Sequence, residues 1–310
     1  MKVLLLFPMA DGQTGPAIKL AFEKLGHEVE AVDAKHRPLL SYSISCGFKP
    51  DLVFCSRTSE LAEQVARIKK KFPDAVTCMW NVDTRKSLDA WSHLFPLVEI
   101  VDYHFIVDYN FIKPWSAYNL NTFWLPQGVQ NEVYNKPRGI TAEDRKKYTC
   151  DVCFCGGRTA AHSNRRVHFL GPVERMNVNF KQWGCLGAPR IFNEEHNKMV
   201  SCSKINLGCS GYPMAGRCVS VRNYKILGAG GFLLADHGDG VEELFPCTGS
   251  ERVLDIYRTP EEIVEKIKYW LSHEDERKEI AERGYKWVHA HARYEDRIKT
   301  ALDYMKERLS

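Results

Sequence analysis

Three short stretches carry residues whose types and positions could do chemistry. Residues 81–83 (NVD) close an apolar run, and a carboxylate such as Asp83 at the carboxyl end of a strand can take a proton from a hydroxyl. Residues 156–158 (GGR) follow the apolar run CDVCFC, and a guanidinium there can grip a diphosphate with two parallel hydrogen bonds. Residues 236–243 (DHGDGVEE) form a Gly- and His-rich loop from Asp236 to the acidic pair Glu242 and Glu243. Plainer readings stand beside these. Asp83 would cap a helix over 84–91 well, and Arg158 could form a surface salt bridge. Asp11 is a second carboxylate, in the loop 9–16, whose two glycines could turn N–H groups toward a ligand but which reads first as a turn.

The elements that hold these positions follow from periodicity. Arg222, Tyr224, Ile226 and Leu227 lie at helical spacing, and Gly228, Gly230 and Gly231 end that helix. The apolar run 232–235 then reads as a strand buried on both faces of a parallel sheet. Residues 236–243 therefore stand beyond its carboxyl end, where open α/β sheets bind ligands. At the other end of the chain, 2–7 (strand), 17–25 (helix) and 26–34 (strand) form an opening βαβ unit. Further strands are expected at 51–55, 75–82, 99–107 and 121–125, with an amphipathic helix over 59–72. That helix ends in Lys69, Lys70 and Lys71, expected as a solvated terminus. Residues 131–148, with Pro137, Gly139 and AEDRKK, read as a linker. Beyond it come strands at 150–155, 180–184 and 203–207 and a helix at 194–200. The capping box of Thr259, Pro260 and Glu262 opens a helix over 259–271, and helices over 275–289 and 293–309 close the chain.

RNYKILGAGGFLLAD, then GVEELF, then the run from YRTPEEIVEKIKYWL to EDRIKTAL resemble the C-terminal half of glycosyltransferases of the GT-B fold, in particular the group named after the spore maturation protein CgeB. The similarity continues upstream through SCSKINLG, DVCFCGGR, WLPQGV and WNVD. It covers most of the chain from about residue 50. The resemblance implies an α/β chain of two Rossmann-like domains facing across a cleft: 1–135 on the acceptor side, 136–290 binding a nucleotide sugar, and a C-terminal helix at 291–310 crossing back to the first domain. It further implies sugar transfer from a nucleotide-sugar donor, UDP-linked, to an acceptor hydroxyl on a protein, a glycan, a metabolite or a modified DNA base. No metal and no separate cofactor are expected, since helix dipoles and arginines stabilise the leaving diphosphate in such enzymes.

On that resemblance Arg158 and Arg222 stand at the diphosphate, and Arg217 and Lys204 are further donor contacts. Glu242 or Glu243 lies near the sugar or ribose hydroxyls, with Asp236 at the same strand end. Asp83, with Asp11 behind it, becomes the candidate base. Arg165 and Arg166 are expected chiefly as surface ion-pairing residues, one of which could assist. One position departs from the family pattern of Arg, any residue, aromatic, Glu, whose Glu holds the ribose hydroxyls: here it is Lys225. That departure implies an altered donor or a lost one, and it motivates the alternative of a module that binds without transferring.

Composition frames these readings. A chain of 310 residues, with 44% hydrophobic and 26% charged residues, suits two globular domains. No apolar run approaches the roughly 18–20 residues needed to span a bilayer, and MKVLLLFP reads as a first strand rather than a signal peptide. Eleven cysteines, several within apolar runs, suit a reducing cytoplasm. Cys150, Cys153 and Cys155 read as buried thiols rather than zinc ligands. A net charge of +4 permits a phosphate-bearing ligand without arguing for nucleic acid, although the basic runs at 69–71 and 145–147 keep a DNA acceptor open. Two alternatives from other classes remain. One is a non-catalytic nucleotide-sugar or nucleic-acid binding module. The other is a nicotinamide oxidoreductase, disfavoured because GxGxxG follows neither domain's first strand.

Overall fold

The computed structural model describes residues 1–34, 47–158, 163–211 and 217–309. It divides into one unit of Met1–Gln127 with Tyr294–Ser310 and a second of Gly128–Arg293.

Among the described residues, the first unit holds β1 (Lys2–Phe7), β2 (Glu28–Asp33), β3 (Leu52–Ser56), β4 (Val76–Asn81), β5 (Tyr103–Ile106) and β6 (Thr122–Trp124). They pair in parallel in the order β2-β1-β3-β4-β5-β6. The central strands are largely apolar because helices cover both faces, and β3 and β4 are buried at every position, Ser56, Thr77 and Asn81 included. Phe54 anchors one side of this core, stacking on Phe7 and Phe105 and meeting Phe22 and Trp80 edge-on. The last helix, Tyr294–Leu309, belongs to this unit. Tyr294 packs on Trp80 and donates its hydroxyl to Gln127 Oε1 at 2.8 Å, while Lys24 and Glu295 pair at 3.1 Å.

The second unit holds β7 (Cys150–Cys155), β8 (Phe180–Trp183), β9 (Ser203–Gly208), β10 (Leu233–Asp236) and β11 (Asp255–Tyr257), parallel in the order β11-β10-β9-β7-β8. Along β10, Leu233 and Ala235 enter one core cluster and Leu234 the opposite one, as alternation in a sheet covered on both faces requires. The preceding helix, Val221–Gly228, ends through Gly230 at φ +77, a left-handed geometry that glycine adopts without penalty.

Four local expectations change. Residues 95–100 form a helix with Pro96 in its first turn, so the strand expected over 99–107 is confined to Tyr103–Ile106. No helix spans 84–91; a 3-10 turn forms at Asp89–Leu94. The stretch read as a linker contains the helix Ala142–Tyr148, started by a capping box in which Thr141 Oγ1 accepts from Asp144 N at 3.1 Å and Asp144 accepts from Thr141 N at 3.0 Å. Lys69 is no free terminus: its ammonium donates to Ile100 O at 2.9 Å and pairs with Asp102 at 2.8 Å.

Candidate functional site

The strand order of the second sheet places β8 on one side of β7 and β9 on the other, so the order reverses between β7 and β9. In open parallel sheets that switch point is where a ligand enters, beyond the carboxyl ends of the strands. Cys155 ends β7 and Cys209 follows β9. Two helices begin there, Ser163–Glu174 after β7 and Val221–Gly228 after the loop that leaves β9, and each brings the positive end of its dipole to the crevice.

Their basic residues converge on the strand-end carbonyls. Arg222, in the first turn of its helix, donates from Nε to Cys155 O at 2.7 Å and from Nη1 to Cys209 O at 3.1 Å. Arg166 donates from Nε to the same Cys209 O at 3.1 Å and from Nη1 to Gly157 O. Both guanidiniums lie against the Phe154 ring, at 5.1 Å and 5.5 Å from its centroid. Gly156 makes room for this: a Cβ there would come within 2.5 Å of Arg222 Nη2. Arg165 reaches Asp236 at 3.0 Å, and Asp236 also accepts from Ser210 N at 2.9 Å and Ser210 Oγ at 3.2 Å. Lys225, one turn beyond Arg222, holds its ammonium 4.6 Å from the centre of the Tyr134 ring.

The electrostatics of this group are lopsided. Arg166 is 7% exposed, and burial, with Arg222 beside it, pulls its pKa down to about 10. Lys225 is pulled down to about 8, chiefly by burial, with the like charge of Arg222 adding to the shift and Cys155 opposing it. Asp236 is buried and its pKa is raised by desolvation, against which Arg165 and the Ser210 donors act. Three guanidiniums, those of Arg165, Arg166 and Arg222, therefore act on the one carboxylate of Asp236, and those of Arg166 and Arg222 also donate to neutral carbonyls. A buried charge is expensive unless paired. The complement of this arrangement is an anion with more than one negative charge.

The residues expected from sequence are distributed differently. Arg222, Lys225 and Asp236 lie in this cluster. Arg158 does not: Nη1 donates to Gln182 Oε1 at 3.2 Å, and the side chain pairs with Glu174. Arg166, expected at the surface, occupies the central place instead. Lys204 lies at the amino end of β9, paired with Asp151 at 2.7 Å, and so stands at the wrong end of the sheet for this crevice. Glu242 and Glu243 sit on a short helix, Asp239–Leu244, rather than in a loop. Glu242 pairs with Arg258 at 2.6 Å, and Glu243 with Arg217; all four are exposed enough to exchange partners.

In the first unit Asp83 follows β4, half exposed and paired with Arg57, whose guanidinium lies over Trp91. Asp83 caps no helix. Asp11 is exposed in the loop after β1. Sequence reasoning passed over Asp108, which stands after β5 as Asp83 stands after β4. It is 6% exposed, accepts from the Thr84 hydroxyl and from Asn110 N at 3.2 Å, and burial raises its pKa. The VDYN sequence at 107–110, directly after an apolar run, carried that signal. Among the described residues no three His, Cys, Asp or Glu side chains gather as metal ligands, and no helix is long and apolar enough to cross a membrane.

Residues 158–303 match the model of a family described as glycosyl transferase-like. No curated protein matches the chain in sequence. Solved structures align over nearly its whole length. Anabaena HepE in complex with UDP-glucose superposes with a TM-score of 0.67 at 10% identity, covering 99% of this chain and 100% of that one. A glycosyltransferase from Rickettsia africae ESF-5 gives 0.64 at 13% identity, with 100% and 98% covered. The lipopolysaccharide outer core galactosyltransferase WaaB gives 0.52 at 12% identity, with 98% and 99% covered. The chain has the GT-B fold of glycosyltransferases, and its residues 158–303, most of the second unit and part of the last helix, match a sequence pattern described as glycosyl transferase-like.

Proposed function

We propose that this chain is a glycosyltransferase that moves a sugar from a nucleotide-sugar donor to an acceptor hydroxyl, without a metal ion. The observation that carries the reading is the pair Arg166 and Arg222, two guanidiniums sharing one carbonyl at the switch point of a parallel sheet. A diphosphate supplies the missing charge, and the two helix N-termini add to its stabilisation. UDP is the first nucleotide to test, because HepE is described in complex with UDP-glucose and with UDP. Within GT-B enzymes we favour the CgeB-like group, on the motif order of the sequence. The eleven cysteines favour the reducing cytoplasm as its compartment.

In the reaction, the bond from the sugar's anomeric carbon to the β-phosphate oxygen breaks, and a bond to the acceptor oxygen forms. The electron pair of the broken bond stays on the diphosphate, where Arg166 and Arg222 hold the added charge. The acceptor's proton passes to a carboxylate, a role we assign to Asp83, with Asp11 as its alternate. The acceptor is a hydroxyl of a protein, glycan, metabolite or modified DNA base.

The test is a panel of nucleotides and nucleotide sugars read by thermal unfolding and by release of free nucleotide, with NADH included as the oxidoreductase control. A ligand specific to the folded state raises the unfolding temperature. The expected result is stabilisation by UDP and one UDP-sugar, with slow UDP release. Stabilisation by a nicotinamide dinucleotide alone would overturn the reading. The presence of Lys225 favours a second reading, a module that binds the nucleotide sugar and transfers nothing. It predicts the same stabilisation with no UDP released under any acceptor.

A further inference from the structure

We propose that the second unit carries a further anion site at the amino end of its sheet, built on the buried Arg277 and taking a phosphate group, free or on a small metabolite. This site is separate from the donor crevice and does not depend on the donor reading. β9 runs over six residues, Ser203–Gly208, so the two ends of the sheet lie roughly 20 Å apart.

A cavity of about 240 Å³ opens there. Ser201, Lys204, Arg277 and Lys278 line it with donors, Glu274 with a carboxylate, and Gly230 and Gly231 without side chains. Three parts of the unit meet at its walls: the passage from the helix Asn193–Cys202 into β9, the passage from the helix Val221–Gly228 into β10, and the first turns of the helix Glu274–His291. Sites for drug-sized ligands run to roughly 300–1,000 Å³, so this cavity suits a compact group.

Arg277 is the reason to read a ligand here. It is 4% exposed, yet among the described residues its side chain makes one hydrogen bond, from Nη1 to Trp270 O, and no ion pair. A guanidinium carries five N–H groups. Capping the carbonyl end of the helix Pro260–Ser272 through Trp270 accounts for one of them and leaves Nε and Nη2 without an acceptor. The two carboxylates whose charges reach Arg277 are Glu274 and Asp151. Each already has a lysine: Asp151 pairs with Lys204 at 2.7 Å, and Glu274 with Lys278 at 2.5 Å. Three cations thus share two carboxylates, and the one left over is the most buried.

A buried charge without a partner is costly, and a compact oxyanion is the partner that fits. The planar fork of an arginine suits phosphate, because two parallel N–H groups can meet two of its oxygens. Lys204, Lys278 and the Ser201 hydroxyl supply donors for the remaining oxygens. The helix Glu274–His291 has no side-chain cap, so its first N–H groups add positive potential. The helices Asn193–Cys202 and Val221–Gly228 bring their carbonyl ends to the same border, which keeps the affinity for an anion modest.

The experiment is calorimetric titration of the full chain with inorganic phosphate and with glycerol phosphate, at constant ionic strength, for wild type, Arg277→Met, Lys204→Glu and Arg222→Met. Thermal unfolding without ligand shows which variants are folded. Lys204 is half exposed, so Lys204→Glu tests the site even where Arg277→Met does not fold. Wild type should bind the probes at a site that Arg222→Met keeps. Arg277→Met should bind them about 10- to 100-fold more weakly, the worth of one charge-assisted hydrogen bond. Lys204→Glu should bind them about 5-fold more weakly, as reversal of an exposed charge implies. Tighter binding of glycerol phosphate than of phosphate identifies an ester of a small metabolite as the ligand, and the reverse identifies free phosphate. No phosphate binding by wild type overturns the inference. So does binding unchanged in folded Arg277→Met, or in Lys204→Glu where Arg277→Met does not fold. Binding lost in Arg222→Met alone also overturns it, and assigns the phosphate to the donor crevice.

Discussion

Arg166 and Arg222 donate to one and the same oxygen, the carbonyl of Cys209, each from 3.1 Å, and flank the single ring of Phe154. Two like charges brought this close are held by the fold rather than by each other. Arg166 enters from the helix after β7 and Arg222 from the helix before β10, so the convergence requires both connections of the switch point to be in place. The pairing gives a direct prediction. Arg166→Met and Arg222→Met should each weaken UDP binding by about 10- to 100-fold, the worth of one charge-assisted hydrogen bond. Titration at two salt concentrations checks it, since the wild-type affinity should fall more steeply with salt than either variant's.

Gly156→Ala tests the same site from the backbone side. The added methyl would meet Arg222 Nη2 at 2.5 Å and the Phe154 ring at 3.0 Å. The guanidinium is the end of a flexible side chain, so it swings aside while the sheet stays intact. Expected are an unfolding temperature within a few degrees of wild type and a UDP affinity reduced about 10-fold. An unchanged affinity in the folded variant would show that Arg222 does not hold its ligand in this position.

Arg165 and Asp236 carry a stability prediction. Burial lifts the Asp236 pKa above the ordinary aspartate value, so the folded state holds that proton more tightly than the unfolded chain does. Its contribution to stability is therefore greatest at low pH and is lost as pH rises through the raised value. Arg165→Met removes the guanidinium that opposes this shift and leaves the carboxylate with only its Ser210 donors. The variant should lose about 3 kcal/mol at pH 7 and regain part of it at pH 5, in denaturant titrations at the two values.

The helix Ala142–Tyr148 provides a control with no role at the site. Thr141→Ala removes the one hydroxyl that both accepts from Asp144 N and donates to the Asp144 carboxylate. A loss of about 1 kcal/mol is expected in urea unfolding, with UDP affinity unaltered.

Sequence pattern revealed the sheets far better than the site. The central strands of both units are largely apolar runs, because central parallel strands are buried on both faces, and a run such as VFC or LLA has few other uses. Thr141 and Asp144 are hard to read as a capping box because an Asp in the third position makes a weaker signature than Glu, amid prolines and lysines that suggest a linker. Arg158 and Arg166 were harder still. Each is a basic residue near a strand end or helix start, and only tertiary contacts separate Arg166, which donates to Cys209 O, from Arg158, which pairs with Glu174. Lys204 shows a simpler limit: the motif SCSKINLG runs the length of β9, and its spacing does not tell that Lys204 stands at the amino end, beside Asp151.

The remaining prediction concerns the base in the first unit, where two carboxylates stand after adjacent strands. Asp83 is half exposed and its Arg57 partner is itself a third exposed, so an incoming hydroxyl can compete for its oxygens. Asp108 is enclosed, with one oxygen taken by Thr84 and the other by Asn110 N. An asparagine at 108 still offers an acceptor to either donor, so Asp108→Asn should leave the rate of sugar transfer within a few-fold of wild type. Asp83→Asn should lower kcat by about 100-fold while leaving UDP affinity as it was, because a positioned base contributes to the transition state and not to donor binding. The reverse result, with Asp108→Asn slow and Asp83→Asn active, would move the proton-accepting role to the buried carboxylate. In that case its raised pKa should appear as the acid limb of the pH–rate profile and vanish in the variant.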